Sequence, residues 1–143
     1  MILLDTTVLV YAVGEDHPLR EPCRRILDAH SLGFTDAAAT IQVLQEFAHV
    51  RARRRSRNDV AAMTRLFAEA LTIVDTTRAD LEAGLELFSR HPALGCFDAL
   101  LAATALRHGA EALVSADPGF RDIRGLNHLD PTDPALLPLL HPH

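Results

Sequence analysis

The chain has 143 residues, 48% hydrophobic and 23% charged, a balance that suits one globular domain able to fold without a disulfide or a structural metal. The net charge of −5 argues against a surface coated in positive charge for nucleic acid. No apolar run approaches the roughly 20 residues of a membrane span, and no basic leader precedes an apolar segment, so the expectation is a cytoplasmic protein whose two cysteines, Cys23 and Cys96, are reduced thiols.

Ile2-Leu3-Leu4 is a short apolar run that suits a strand buried on both faces, and it stops at Asp5, Thr6 and Thr7. Leu9 to Ala12 then reads as a tight turn entering a loop. Asp16 and Pro18 open a helix over Leu19–His30 with Cys23, Ile26 and Leu27 inward, and Gly33 ends it. Phe34–Ala39 is a weak second strand. Thr40 caps a helix that runs to about Arg54, and on it Val43, Glu46, Phe47 and Val50 share one face, which puts an acid inside an apolar stripe.

The run Arg51–Arg57 with Asn58 makes a turn between helices. Asp59–Leu71 is the next helix, packing through Val60, Met63, Phe67 and Ala70, and Thr72–Asp75 the third strand. Thr76 or Thr77 caps a helix ending near Pro92, with Leu81, Leu85 and Phe88 inward. A further helix spans Phe97–His108 and stops at Gly109; it is apolar on nearly every side, yet Asp98 shares a face with Leu101, Ala102 and Ala105. Ala112–Ser115 is the fourth strand, with Asp117-Pro-Gly beyond it, and Leu126–Leu129 an edge strand. From 130 to 143 the chain is a Pro-rich tail closing on His141-Pro-His143.

Strands alternating with helices point to a mainly parallel sheet of four to five short strands between helical layers. In such sheets the ligand crevice lies beyond the carboxyl ends of the strands. Asp5 and Asp117 come from strand ends and Glu46 and Asp98 from inner helix faces, so all four can face one crevice. Taken singly, Asp98 also fits dipole complementation in a first helical turn, and Asp117 an Asp-Pro-Gly turn. Clustered carboxylates repel one another, and a divalent cation removes the conflict; an all-oxygen donor set suits Mg²⁺ or Mn²⁺ over Zn²⁺. Thr6, Thr7 and Ser115 stand where they can hydrogen-bond the acids. The 14 basic residues are all arginine, and the cluster Arg51, Arg53, Arg54 and Arg55 suits either solvent at a helix end or contact with RNA or a partner.

Four segments, Asp5-Thr-Thr-Val-Leu-Val-Tyr-Ala, Gln45-Glu-Phe47, Phe97-Asp-Ala-Leu-Leu-Ala-Ala-Thr-Ala105 and Val114-Ser-Ala-Asp-Pro-Gly-Phe120, together resemble in order and spacing the PIN-domain nucleases. The length resembles that of the VapC-type toxins of toxin–antitoxin pairs. The resemblance implies a PIN-like three-layer α/β/α fold over a single domain, 1–143. It implies that Asp5, Glu46, Asp98 and Asp117 hold Mg²⁺ or Mn²⁺ for RNA cleavage, with Thr6 or Thr7 and Ser115 as supporting hydroxyls. It also implies a homodimer and a VapB-type antitoxin that closes the crevice with a basic side chain, in a higher-order assembly. Where many relatives carry a further acid, this chain has Gly119, so the resemblance leaves one or two metals open.

The expected activity is hydrolysis of RNA phosphodiester bonds, with no membrane in its biology. One alternative is a catalytically weak PIN-like module that binds RNA or a partner, for which Gly119 is the sequence support. The other is a small Mg²⁺-dependent phosphatase with Asp5 as nucleophile; Thr7 in place of a second Asp, and the absence of any lysine, weigh against it.

Overall fold

The structure, a computed structural model, describes residues 1–141; Pro142 and His143 of the expected tail lie outside the described residues. Five strands, β1 (Ile2–Leu4), β2 (Ala37–Thr40), β3 (Thr72–Val74), β4 (Ala112–Val114) and β5 (His128–Leu129), form one sheet in the order β3-β2-β1-β4-β5. Every pairing is parallel; β1 sets Ile2 against Ala37 of β2 on one side and against Ala112 of β4 on the other. Ile2, Leu3, Leu4 and the alanines of β2 are all without exposed surface, as a sheet covered on both faces requires.

Six helices cover it: α1 (Thr6–Val13), α2 (Arg20–Ser31), α3 (Ile41–Arg51), α4 (Arg57–Ala70), α5 (Arg78–Arg90) and α6 (Cys96–Arg107). They pack as two groups, α1 with α2 and α3 and α4 on α3, against α5 with α6, which gives the expected α/β/α layering. The tail turns back: a 3₁₀ segment over Pro134–Leu139 carries Leu136 into the core, and Leu140 follows it there. Cys23 is buried and Cys96 exposed, both as free thiols.

The expected turn at Leu9–Ala12 lies instead within α1, which starts one residue after β1. Asp5 takes extended backbone angles, φ −78° and ψ 159°, and its side chain accepts the Thr6 amide, so one residue both ends the strand and caps the helix. Val8, Leu9 and Ala12 are buried in the core; packing overrides the weak helix preference of Thr6, Thr7, Val8 and Val10. Helix α3 stops at Arg51, short of Arg54, and Ala70 at the end of α4 is exposed.

On α5 the expected inner residues are wrong. Leu81, Leu85 and Phe88 are 45%, 44% and 47% exposed, and the helix turns Asp80 and Gly84 inward. A Cβ placed on Gly84 would lie 3.0 Å from Leu100 Cα and 3.2 Å from its nitrogen, so glycine lets α5 and α6 meet backbone to backbone. Asp80 is buried because it is satisfied: it completes a capping box with Thr77 and takes Arg107 Nε at 2.9 Å and His108 Nε2 at 3.2 Å. Burial pushes its carboxyl up, but the Thr77 amide, His108, the Thr77 hydroxyl and Arg107 outweigh burial and hold it below its usual range.

Candidate active site

The sheet order changes direction around β1 and β4, and the carboxyl ends of these two hydrogen-bonded strands carry the first acids. Asp5 is only 4% exposed, anchored by its own amide donating to Val114 O at 3.0 Å. Its Oδ1 accepts the Thr6 amide at 2.8 Å; its Oδ2 accepts the Thr7 hydroxyl at 3.0 Å and the Ser115 hydroxyl at 2.6 Å. The two hydroxyls are themselves fixed, since Ala116 N donates to Thr7 Oγ1 at 3.2 Å and Asp117 N donates to Ser115 Oγ at 3.0 Å. Thr7 and Ser115 thus tie the loop after β4 to the carboxylate that ends β1. A carboxylate has about four lone-pair sites, and the three bonds Asp5 accepts leave one direction open.

Asp117 caps the 3₁₀ turn Pro118–Phe120, its Oδ1 accepting the Gly119 amide at 2.8 Å. Gly119 therefore offers an amide donor and no acid. A Cβ there would sit 3.2 Å from Asp117 Oδ1 and 3.4 Å from Ala93 O, so a side chain at this position crowds the aspartate.

Asp98 lies half-buried in the first turn of α6, three residues after the Gly95 N-cap. Its pKa is raised from an ordinary 3.8 to about 7, first by burial, then by the charges of Asp5, Asp117 and Glu46, and by a hydrogen bond with Asp117. All four expected acids therefore share one electrostatic neighbourhood. Glu46 departs from its expected setting, because it is exposed and sits at the edge of the apolar stripe of Val43, Leu44 and Phe47. It is nonetheless tied to the crevice by the Thr6 hydroxyl, which donates to Glu46 Oε2 at 3.1 Å, with Val43 O as a longer acceptor at 3.4 Å. Thr6 thus links α1 to α3 and Thr7 links α1 to the β4 loop, two different tasks for adjacent hydroxyls.

Among the described residues no three Asp, Glu, His or Cys side chains are already gathered into a metal cage. The chemistry of the cluster still suits a hard divalent cation. Its donors are all oxygen, burial and then the charges of the other three acids raise Asp98, and Asp5 keeps one direction free after its three hydrogen bonds. Asp5, Asp98 and Asp117, with Glu46 at the rim, are the residues that would hold it.

The arginines divide. Arg51 is only 9% exposed and donates through Nη2 to Val13 O at the end of α1, at 3.2 Å, so most of its side chain is taken up in joining α3 to α1. Arg53, Arg54 and Arg55 are exposed, with Arg54 3.6 Å from Glu15. The sequence reading missed the crevice-lining residues Gln42, Thr76 and Phe97, and the buried Asp80. The Thr77-x-x-Asp80 spacing was the available signal for Asp80.

The family model of the PIN domain matches residues 2–126, a span that contains all four acids. The chain is 46% identical over 142 residues to Ribonuclease VapC7 of Mycobacterium tuberculosis, covering 98% of each chain. It is 40% identical over 121 residues to Ribonuclease VapC23 of the same species, covering 82% of this chain and 93% of that one. The fold is shared with VapBC2 of Rickettsia felis, solved on a promoter DNA fragment, at TM-score 0.70 and 22% identity over 91% of this chain and 98% of that one. It is shared equally with M. tuberculosis VapC20, described as a sarcin-ricin loop cleaving toxin, at TM-score 0.72 and 17% identity over 85% and 93%. The chain belongs to the PIN-domain family, and within it to the VapC group.

Proposed function

We propose that this protein is a Mg²⁺- or Mn²⁺-dependent endoribonuclease, the toxin of a toxin–antitoxin pair. The observation that carries the reading is the convergence of Asp5, Glu46, Asp98 and Asp117 on one crevice, visible in the charge that the other three place on Asp98. The identity to VapC7 along the whole chain supports it.

A bound divalent cation supplies Lewis-acid stabilisation of the attacked phosphate and makes a water acidic enough to attack. The chain's own residues do the rest. Thr7 and Ser115 fix the carboxylate plane of Asp5, and the Gly119 amide fixes Asp117, so neither acid reorganises during the reaction. Glu46 is the exposed member, held by Thr6 at the mouth, and is placed to take the proton of an attacking water. In-line hydrolysis then leaves a 5′-phosphate and a 3′-hydroxyl. With no acid at Gly119, a single cation is the reading the side chains favour.

The partner is a VapB-type antitoxin that places a basic side chain against the four acids; solved relatives of the same fold are VapBC complexes. Residues 1–143 act as one domain, as a homodimer within a larger assembly with antitoxin, in the cytoplasm. Among the described residues no helix is long and apolar enough to cross a membrane.

The test is cleavage of RNA in Mn²⁺ or Mg²⁺, with EDTA and Asp5→Asn as controls. Both controls abolish cleavage on this reading. Persistence of cleavage in either one refutes the mechanism.

A further inference from the structure

Beside the acid crevice, on the outer side of α3, lies a second hollow of about 460 Å³ lined by Gln42, Gln45, Glu46, His49, Val50, Arg53 and Phe97. Five of these recur at i, i+3, i+4, i+7 and i+11 and so form one face of α3 and the turn that continues it. Val50 adds an apolar edge, and Phe97 stands opposite at the start of α6, 77% exposed, far more than any other phenylalanine or the tyrosine among the described residues. Glu46 and Phe97 also line the crevice itself, so the hollow opens directly onto the acids.

We infer that this hollow seats one unpaired nucleobase of the RNA substrate, stacked on Phe97, next to the bond that is cut. The inference rests on the nuclease reading above and adds to it the form of RNA that the site accepts. An exposed phenyl ring beside a polar wall is what an unstacked base needs: a π-face on one side and amide groups on the other. Gln42 and Gln45 supply the amides, and Gln42 is held by the Thr76 hydroxyl, which donates to its Oε1 at 2.7 Å. The volume falls within the range of small-ligand sites.

Charge favours the same occupant. Along this face Glu46 lies at the acids and Arg53 seven residues further on, roughly 10 Å away at helical rise. A strand whose reacting phosphate lies at the acids meets a cation at the far end, with the base between them. A base paired in a duplex keeps its faces stacked and cannot enter, so the seat selects single strands, loops and bulges.

The experiment uses a fluorescein-labelled single-stranded RNA of mixed sequence, about a dozen nucleotides long to match the usual footprint of single-strand binders, and the same strand annealed to its complement. Binding is read by anisotropy in the Asp5→Asn background, where the strand stays whole. Cleavage is read with the otherwise native protein in Mn²⁺. Loss of one base–aromatic stack predicts that Phe97→Ala weakens single-strand binding by roughly 5- to 150-fold and raises KM in proportion, with kcat changed much less. Phe97→Tyr restores both, and all variants elute from size exclusion as the native protein does. Unchanged single-strand affinity in Phe97→Ala overturns the inference. So does a shift from dimer to monomer in step with lost binding, which assigns Phe97 to a subunit contact, or equal affinity for the duplex. If the native protein binds in the Phe97-dependent way yet cuts nothing, the nuclease reading fails and the base seat stands. If it cuts RNA with no dependence on Phe97, the reverse holds.

Discussion

Replacing Asp98 by Asn separates what this acid does for the fold from what it does for the chemistry. Its pKa rises from 3.8 to about 7, with burial first and the other three acids after it. The native state therefore holds a proton between about pH 4 and 7 that the unfolded chain has lost, and stability falls as pH rises through that window. Three units at about 1.4 kcal/mol each set a ceiling of about 4 kcal/mol. The carboxyl is part-open to solvent, and screening reduces the cost to about 1–2 kcal/mol. Asp98→Asn removes the charge. In EDTA at pH 8 the variant should be more stable than the native protein by that amount, or about 3–6 °C in Tm for a chain of this size. At pH 4.5 the two should converge. Added Mn²⁺ should raise the Tm of the native protein and not that of the variant, which should also have lost RNA cleavage. A variant less stable at pH 8, or a difference independent of pH, refutes the electrostatic account of the cluster. Gain of stability with loss of activity is the expected mark of groups held together against their own repulsion.

Asp80→Asn should act in the opposite sense. Its depressed carboxyl contributes stability above about pH 4 that is lost as pH falls through the folded value. Removing its charge leaves Arg107 and His108 without their partner and should cost about 2 kcal/mol by urea titration at pH 7; a variant of native stability would mean the pair contributes nothing. Gly84→Ala, normally favourable in a helix, should destabilise by about 1 kcal/mol, because the new methyl meets Leu100 backbone; a higher Tm would show that α5 and α6 can part without cost. With a maleimide at pH 7.5 the native protein should label once, at Cys96, since burial and then the charge of Asp130 push the Cys23 thiol up to about 12. Two equivalents of rapid labelling would show that the Cys23 pocket opens readily.

Where periodicity and chemistry agree, the sequence was legible. The strands, the all-apolar α6 and the four acids follow from runs, spacing and residue type. The places where it misled share one cause: a short segment has two faces, and its own sequence does not say which one the fold will cover. Residues 6–13 were an apolar β-branched run that α1 makes helical only because it is packed against α2 and α3. On α5 the large apolar residues lost the inner face to Gly84 and Asp80, since close helix contact needs the smallest residue and Asp80 brings its own partners. Glu46 shares a stripe with Val43 and Phe47 yet faces out, because a helix face has edges that counting by three and four cannot resolve.

The sequence alone determined that this is a parallel α/β chain with Asp5 and Asp117 at strand ends and Asp98 at a helix start, because strand length, residue type and helix punctuation are local properties. Only the tertiary structure decided that Thr7 and Ser115 share one oxygen of Asp5, that Thr6 turns Glu46 to the crevice, that Arg51 belongs to the fold and that Phe97 stands in water beside the acids. Those facts depend on how β1 and β4, 110 residues apart at Asp5 and Ser115, come to lie side by side, and a pairing across that distance is written in no single segment of the chain.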